Sequence, residues 1–396
     1  MLDFASLRQQ INEMVQDQKQ REDDFIGKLT RAYQALNGWE RSWEALAAKV
    51  DRSHTSWLVA ELRDAASACF PLPERPEQFT VAATDGSQIF PDRHEISSCY
   101  LINVGGVVIH YGTGEKPLMY SRPKLFYADD DLYGSWGGRK VAVNHDVVST
   151  QREWMEWSEL ALHLEKAKDE KRTCVGLSDG TLILWPLEGR PRDFQDQALG
   201  LFLRALDRLR MTDRAVAGYI SNPASSDVTN ALKIGLCPEH APDCDHCAHR
   251  EEPRTSATEP PCAAIEGVSD QLLFSKTLKD GERSAVFGSR SKILDGYGAH
   301  RICFCYLNVG AEICRLEFPL WVADDRAKME LLHATVYDQV QKGSGYPVTL
   351  AEAHEKVVVR AGDRDVFYKM LRDAFVSHDV RADISRKSFR KRSISV

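Results

Sequence analysis

Residues 79–87 read Phe-Thr-Val-Ala-Ala-Thr-Asp85-Gly86-Ser87, and residues 174–181 read Cys-Val-Gly-Leu-Ser-Asp179-Gly180-Thr181. Each is a short apolar run closed by Asp-Gly-Ser/Thr. Apolar runs bounded by turn residues read as strands, and the glycine lets the chain turn sharply away after the acid. Further strand-like runs follow at 97–103 and 107–112, with Gly105-Gly106 between them as a hairpin signal. A helix is expected from about Thr150, where Thr150-Gln-Arg-Glu153 has the form of a capping box, to about Lys168. Trp154, Trp157, Leu160, Ala161 and Leu164 form its buried stripe. The pattern 193–209 is helical again, and 216–220 is a strand.

The order strand, strand, strand, helix, strand, helix, strand opens a ribonuclease-H-like α/β fold. An antiparallel meander is followed by crossover helices that return strands parallel to the first, giving a mixed sheet flanked by helices. In such a sheet the 79–84 and 174–177 strands are parallel neighbours, so their ends place Asp85 and Asp179 side by side. Residues 1–70 form an N-terminal helical region. Its apolar spacing (Leu7, Ile11, Met14, Val15) suits a packed cap or a surface for a partner or second copy. Phe70-Pro-Leu-Pro-Glu-Arg-Pro76 reads as a linker. The main domain occupies 77–235 and resumes over 266–380, with a sheet-like stretch at 301–318 and helices at 327–341 and 350–359. A Cys-rich insertion, 236–265, interrupts it. A basic tail, 381–396, follows with Arg381, Arg386, Lys387, Arg390, Lys391 and Arg392.

The chain of 396 residues is 43% hydrophobic and 28% charged, which excludes collagenous, low-complexity and wholly disordered classes. With 51 Lys plus Arg against 58 Asp plus Glu, the net charge is −7, so no general basic coat is available for nucleic acid. Binding would use a local groove, or metal ions between carboxylate and phosphate. No run approaches the ~18 apolar residues of a membrane span, and the first residues lack a signal peptide's pattern. The expected location is the cytoplasm, where the ten cysteines are not expected to form disulfides. Six are scattered, and most of them read as small buried apolar residues.

A third acid is expected near the start of the helix that follows Thr150. Glu153, Glu156 and Glu159 are the candidates; Glu156 is favoured because it sits at the edge of the buried face, with Glu153 second. Clustered carboxylates bind Mg²⁺ or Mn²⁺ and suit hydrolysis of phosphodiesters. The sequence has no Gly-x4-Gly-Lys-Ser/Thr loop, so a DNA motor would have to act in trans.

Asp85-Gly-Ser-Gln, Arg152-x-x-x-Glu156 and Asp179-Gly-Thr-Leu together resemble the NurA family of DNA-repair nucleases. So do Gly218-Tyr-Ile-Ser-Asn-Pro, Ser269-Asp270-Gln-Leu-Leu, Gly281-Glu-Arg-Ser284, Arg315-Leu-Glu-Phe-Pro319 and Gly345-Tyr-Pro-x-x-Leu350-x-x-Ala353-His354, in the family's order from about residue 80 to 365. The resemblance implies Mn²⁺-dependent DNA cleavage, a homodimer and a HerA-type hexameric ATPase as partner. It also implies that His354 completes a catalytic metal site with Asp85, Glu156 and Asp179. It departs from the family at Ser221-Asn222, where many relatives carry a basic residue. Two other readings compete: an enzyme of the same fold acting on RNA or hybrids, and a non-catalytic nucleic-acid-binding scaffold.

The insertion carries Cys237, Cys244, Cys247 and Cys262, spaced C-x6-C-x2-C-x14-C. Four thiolates complete a tetrahedral shell, so structural zinc is expected, with an iron–sulfur cluster as the alternative. His240, His246 and His249 are substitute zinc ligands.

Overall fold

The computed structural model describes residues 3–92, 98–247 and 260–380. The basic tail and His249 lie outside the described residues. In chain order the first half contains α1 (Phe4–Gly38), α2 (Trp43–Arg52), β1 (Ala60–Leu62), β2 (Cys69–Phe70), β3 (Phe79–Ile89), β4 (Tyr100–Tyr111) and β5 (Leu118–Phe126). A short α3 (Asp129–Leu132) and the hairpin β6 (Tyr133–Trp136) and β7 (Arg139–Ala142) lead to α4 (His145–Asp169), β8 (Cys174–Asp179), α5 (Arg192–Thr212) and β9 (Ala215–Ile220). Then come α6 (Asp227–Leu236), α7 (Asp270–Ser275), β10 (Arg283–Ser284), β11 (Phe287–Ser289), β12 (Ile302–Asn308) and β13 (Ile313–Pro319). The chain closes with α8 (Leu320–Ala323), α9 (Arg326–Lys342), α10 (Val348–Val357) and α11 (Ala361–Ser377). No described helix is long and apolar enough to cross a membrane.

The chain divides into two compact units. One gathers residues 1–72, 220–294 and 301–317; the other gathers 73–219, 295–300 and 318–396. In the second unit the strands run in the order β9-β8-β3-β4-β5. β3–β4 and β4–β5 are antiparallel, and β3–β8 and β8–β9 are parallel. This is the expected ribonuclease-H-like mixed sheet. Helix α4 lays Trp157, Leu160 and Leu164 on it, all buried. Leu164 rests where Gly176 of β8 has no side chain: a Cβ there would stand 2.8 Å from it. Trp157 also meets Phe202 of α5 edge-on, at 6.1 Å between ring centres. Each such fully buried side chain contributes about 1.5–3 kcal/mol.

Three sequence expectations are corrected here. The meander's strands are 79–89, 100–111 and 118–126; Gly105-Gly106 is no hairpin but lies within an unbroken β4. The pair is required by close packing. A Cβ on Gly105 would stand 2.2 Å from the Tyr120 carbonyl of β5, and one on Gly106 would stand 2.9 Å from the Ala83 carbonyl of β3. Helix α4 begins at His145, one and a half turns before Thr150. Its cap is Asn144, whose side chain accepts from Val147 N at 3.1 Å, and Thr150 is buried within the helix. The N-terminal region is helical only to Arg52; β1 pairs with β11 and β2 with β10.

The first unit has its own core, in which Leu36, Leu46 and Phe274 are wholly buried. Beside it lies a closed polar network. The Arg315 guanidinium donates to Asp227 at 3.1 Å and to Glu317 at 2.9 Å. Asp270 accepts from Val228 N, Thr229 N and the Tyr306 hydroxyl. Desolvation, then the neighbouring Asp227 carboxylate, pushes the Asp270 carboxyl upward.

Candidate active site

The site lies at the ends of the central parallel pair. Thr84 is paired with Ser178 in the β3–β8 register, so Asp85 and Asp179 each stand one step beyond. The two motifs differ locally. Gly180, at φ +92°, takes the turn that glycine permits. Gly86 does not turn: β3 runs on to Ile89, against the expected strand end at Thr84. Gly86 is needed for space instead, since a Cβ there would stand 2.6 Å from Glu156 Oε1 and 2.9 Å from Arg152 Cγ.

Strand alternation sorts the ligands. Thr84 and Gly86 face α4, where the Thr84 hydroxyl donates to the Glu156 carbonyl at 3.0 Å. Arg152 donates to the Gly86 carbonyl at 3.0 Å and pairs with Glu156 one turn on, Nε to Oε1 at 3.3 Å. Asp85, on the alternate face, accepts from Gly86 N at 2.7 Å and meets Nδ1 of His354 at 2.8 Å. His354 is brought there by α10, which crosses β3 and β4. The Val357 carbonyl accepts from Asn103 at 2.8 Å and from Ser87, two residues paired across β3–β4. The Val357 side chain packs over Gly105, where a Cβ would lie 2.7 Å away. Gly105, one of the two strand glycines that the sequence suggested as a turn, thus seats the helix that carries the histidine.

Of the three helix acids, Glu156 is buried against this centre. Burial pushes its carboxyl up to about 8; Asp85, Glu153 and Asp179 add to the rise and Arg152 opposes it. Glu153 is also raised, by burial. Glu159 is committed elsewhere, accepting from Tyr120 at 2.7 Å and Arg122 at 2.6 Å. Asp179 is raised by desolvation and by Asp85, against a hydrogen bond from Tyr346. Tyr346, whose ring stands edge-on to Tyr219 at 5.4 Å, is a site residue that sequence reasoning did not assign; its signal was the Gly345-Tyr-Pro motif.

These residues fit a hard divalent cation. The donors are carboxylates, and Glu156 Oε1 is buried with the Arg152 ion pair beside it but no hydrogen bond of its own. Among the described residues, no group of three or more His, Cys, Asp or Glu side chains is placed to hold a metal ion. That holds for the Cys237, Cys244, Cys247 and Cys262 set as well, although all four line one cavity. At Ser221-Asn222 the Ser221 hydroxyl and Asn222 N both donate to Glu312, at 2.8 and 2.9 Å.

A ribonuclease-H-like sheet with acids just past the last residues of its central parallel pairing, and a third acid on the crossover helix, defines a class of carboxylate-centred α/β proteins. The NurA domain model matches residues 79–359, and the chain belongs to the NurA family. Among solved structures, the NurA nuclease from Sulfolobus solfataricus aligns with a TM-score of 0.49 at 13% identity, over 78% of this chain and 88% of that one. A NurA structure bound to dAMP and manganese aligns with a TM-score of 0.39 at 13% identity, over 94% and 98%. No curated protein matches the chain.

Proposed function

We propose that the chain is a divalent-metal-dependent deoxyribonuclease that hydrolyses phosphodiester bonds at Asp85, Glu156, Asp179 and His354. The observation that carries this is the convergence of three acids and a histidine, from four separate elements, at one end of a parallel strand pair. A Mn²⁺ or Mg²⁺ ion held by the carboxylates would supply charge neutralisation for the phosphate and an activated water. The chain's own groups set the geometry. Asp85 fixes the ring of His354 through Nδ1. Tyr346 orients Asp179, and Arg152 balances part of the charge on Glu156.

The same proposal includes a homodimer and a HerA-type hexameric ATPase. Family membership supports both, and so does the need of long-duplex degradation for an ATP-driven motor that this sequence does not encode. Helix α1 exposes Phe4, Ile11, Met14 and Val15 as a candidate docking stripe. The test is cleavage of single-stranded DNA, duplex DNA and RNA with Mn²⁺, Mg²⁺ or chelator, by wild type and Asp85→Ala. Metal-dependent DNA cleavage lost in the variant is expected. Chelator-resistant cleavage, or cleavage surviving in Asp85→Ala, overturns the assignment. Light scattering of the protein alone and with the motor, and long-duplex assays with and without ATP, test the assembly.

A further inference from the structure

We propose that Cys237, Cys244, Cys247 and Cys262 form a structural zinc site in the first unit, separate from the acidic centre and independent of the nuclease reading. Three anchored pieces of backbone bring these thiols to one cavity of about 260 Å³. Cys237 follows the last turn of α6, where its carbonyl and that of Gly235 receive the Lys49 ammonium. Cys262 lies in the tight helical turn Pro261–Ile265. Cys244 and Cys247 bracket a turn closed by Asp243, whose carboxylate accepts from Asp245 N at 3.2 Å and His246 N at 3.0 Å.

That turn is itself fastened to the chain after α2. Cys244 N donates to the His54 carbonyl and His54 N to the Pro242 carbonyl, both at 2.8 Å. Ser56 donates to Asp245 through both its amide and its hydroxyl at 2.8 Å. So much fixing of a short exposed turn leaves the thiol torsions as the freedom that closes a shell at Zn–S distances of about 2.3 Å. Binding Zn²⁺ would release the thiol protons and leave a redox-inert tetrahedral thiolate centre. His246 also borders the cavity, its Nδ1 3.2 Å from Asp243, but four thiolates already complete a tetrahedral shell without it.

Such a site ties the end of α6, the 54–56 segment and the 260–265 turn together, and its role is local stability. The full chain, purified without chelator, is expected to hold about one zinc per molecule by plasma mass spectrometry. Cys244→Ser/Cys247→Ser should lose that zinc, and Asp85→Ala/Asp179→Ala should keep it. Cobalt substitution should give the visible bands of a tetrahedral thiolate complex. If the double cysteine variant does not fold, mercurial titration of wild type gives the answer, with zinc release followed by a chromophoric chelator. Metal-free wild type, iron with inorganic sulfide, zinc that follows the aspartates, or mercurial treatment that frees no zinc each overturns the proposal.

Discussion

Gly86→Ala separates geometry from stability at the acidic centre. The new Cβ would start 2.6 Å from Glu156 Oε1, and ordinary contact begins near 3.4 Å, so the carboxylate must retreat by 3.4 − 2.6 = 0.8 Å. The nearest atoms are side-chain atoms, Oε1 of Glu156 and the Cγ and Cδ methylenes of Arg152, rather than backbone, so the fold absorbs the change at about 1–3 kcal/mol. Catalysis does not absorb it. A displacement near 1 Å in a reacting constellation costs about 10²-fold. The expected result is a 10- to 100-fold loss, roughly, in metal-dependent cleavage rate, read under single-turnover conditions with saturating Mn²⁺. Melting temperature should move little. Gly180→Ala is the contrasting variant: nothing lies within 4 Å of its Cβ, but φ is +92°, so its cost falls on backbone strain and stability. A Gly86→Ala enzyme cleaving at the wild-type rate would refute the claim that this position exists to seat Glu156.

Asp85→Asn and Asp179→Asn should each lower cleavage at least about 10³-fold with circular dichroism unchanged, because removing a ligand charge removes the metal's hold; activity near wild type in either would remove that residue from the site. Glu156 ionises near the ordinary carboxylate range when unfolded but only near 8 in the folded, metal-free protein. The folded state therefore holds more protons across that window, and stability falls as pH rises through it. Between the ordinary carboxylate range and about pH 8, metal-free wild type should lose melting temperature more steeply than Glu156→Gln, with the two slopes converging above that; parallel slopes inside the window would contradict the buried-acid account. Arg315→Met leaves Asp227 and Glu317 buried without their guanidinium. It should cost about 3–5 kcal/mol in denaturant unfolding; an unchanged midpoint would mean the network is not a closed one.

Asp179 at the end of β8 was legible because the signal is local: an apolar run, then Asp-Gly; the same signal at Asp85 marked the acid but not the strand, which runs on to Ile89. The sheet order followed from the alternation of strands and helices. Gly105-Gly106 was misread for a physical reason. Its demand for glycine comes from the Tyr120 carbonyl and the Val357 side chain, contacts that no window around residue 105 contains. The start of α4 was placed late because Thr150-x-x-Glu153 imitates a cap while Asn144 provides it. His354 carries no local mark of its role, and only the ordered family motifs pointed to it. The gathering of 1–72 with 220–294 and 301–317 rests on contacts across long sequence gaps and has no compositional signature.

The hydrogen bond between His354 and Asp85 closes across 269 residues. During synthesis the N-terminal parts of a chain emerge and begin to fold first. The carboxylates of β3, α4 and β8 are therefore present long before α10 leaves the ribosome. Until then the centre lacks its histidine, and β4 lacks the Val357 carbonyl that Ser87 and Asn103 jointly hold. Any product cut short before α10 holds the acids without the imidazole that Asp85 meets. The cluster is thus completed by the last of its four elements to be synthesised, and its full arrangement belongs to the finished chain alone.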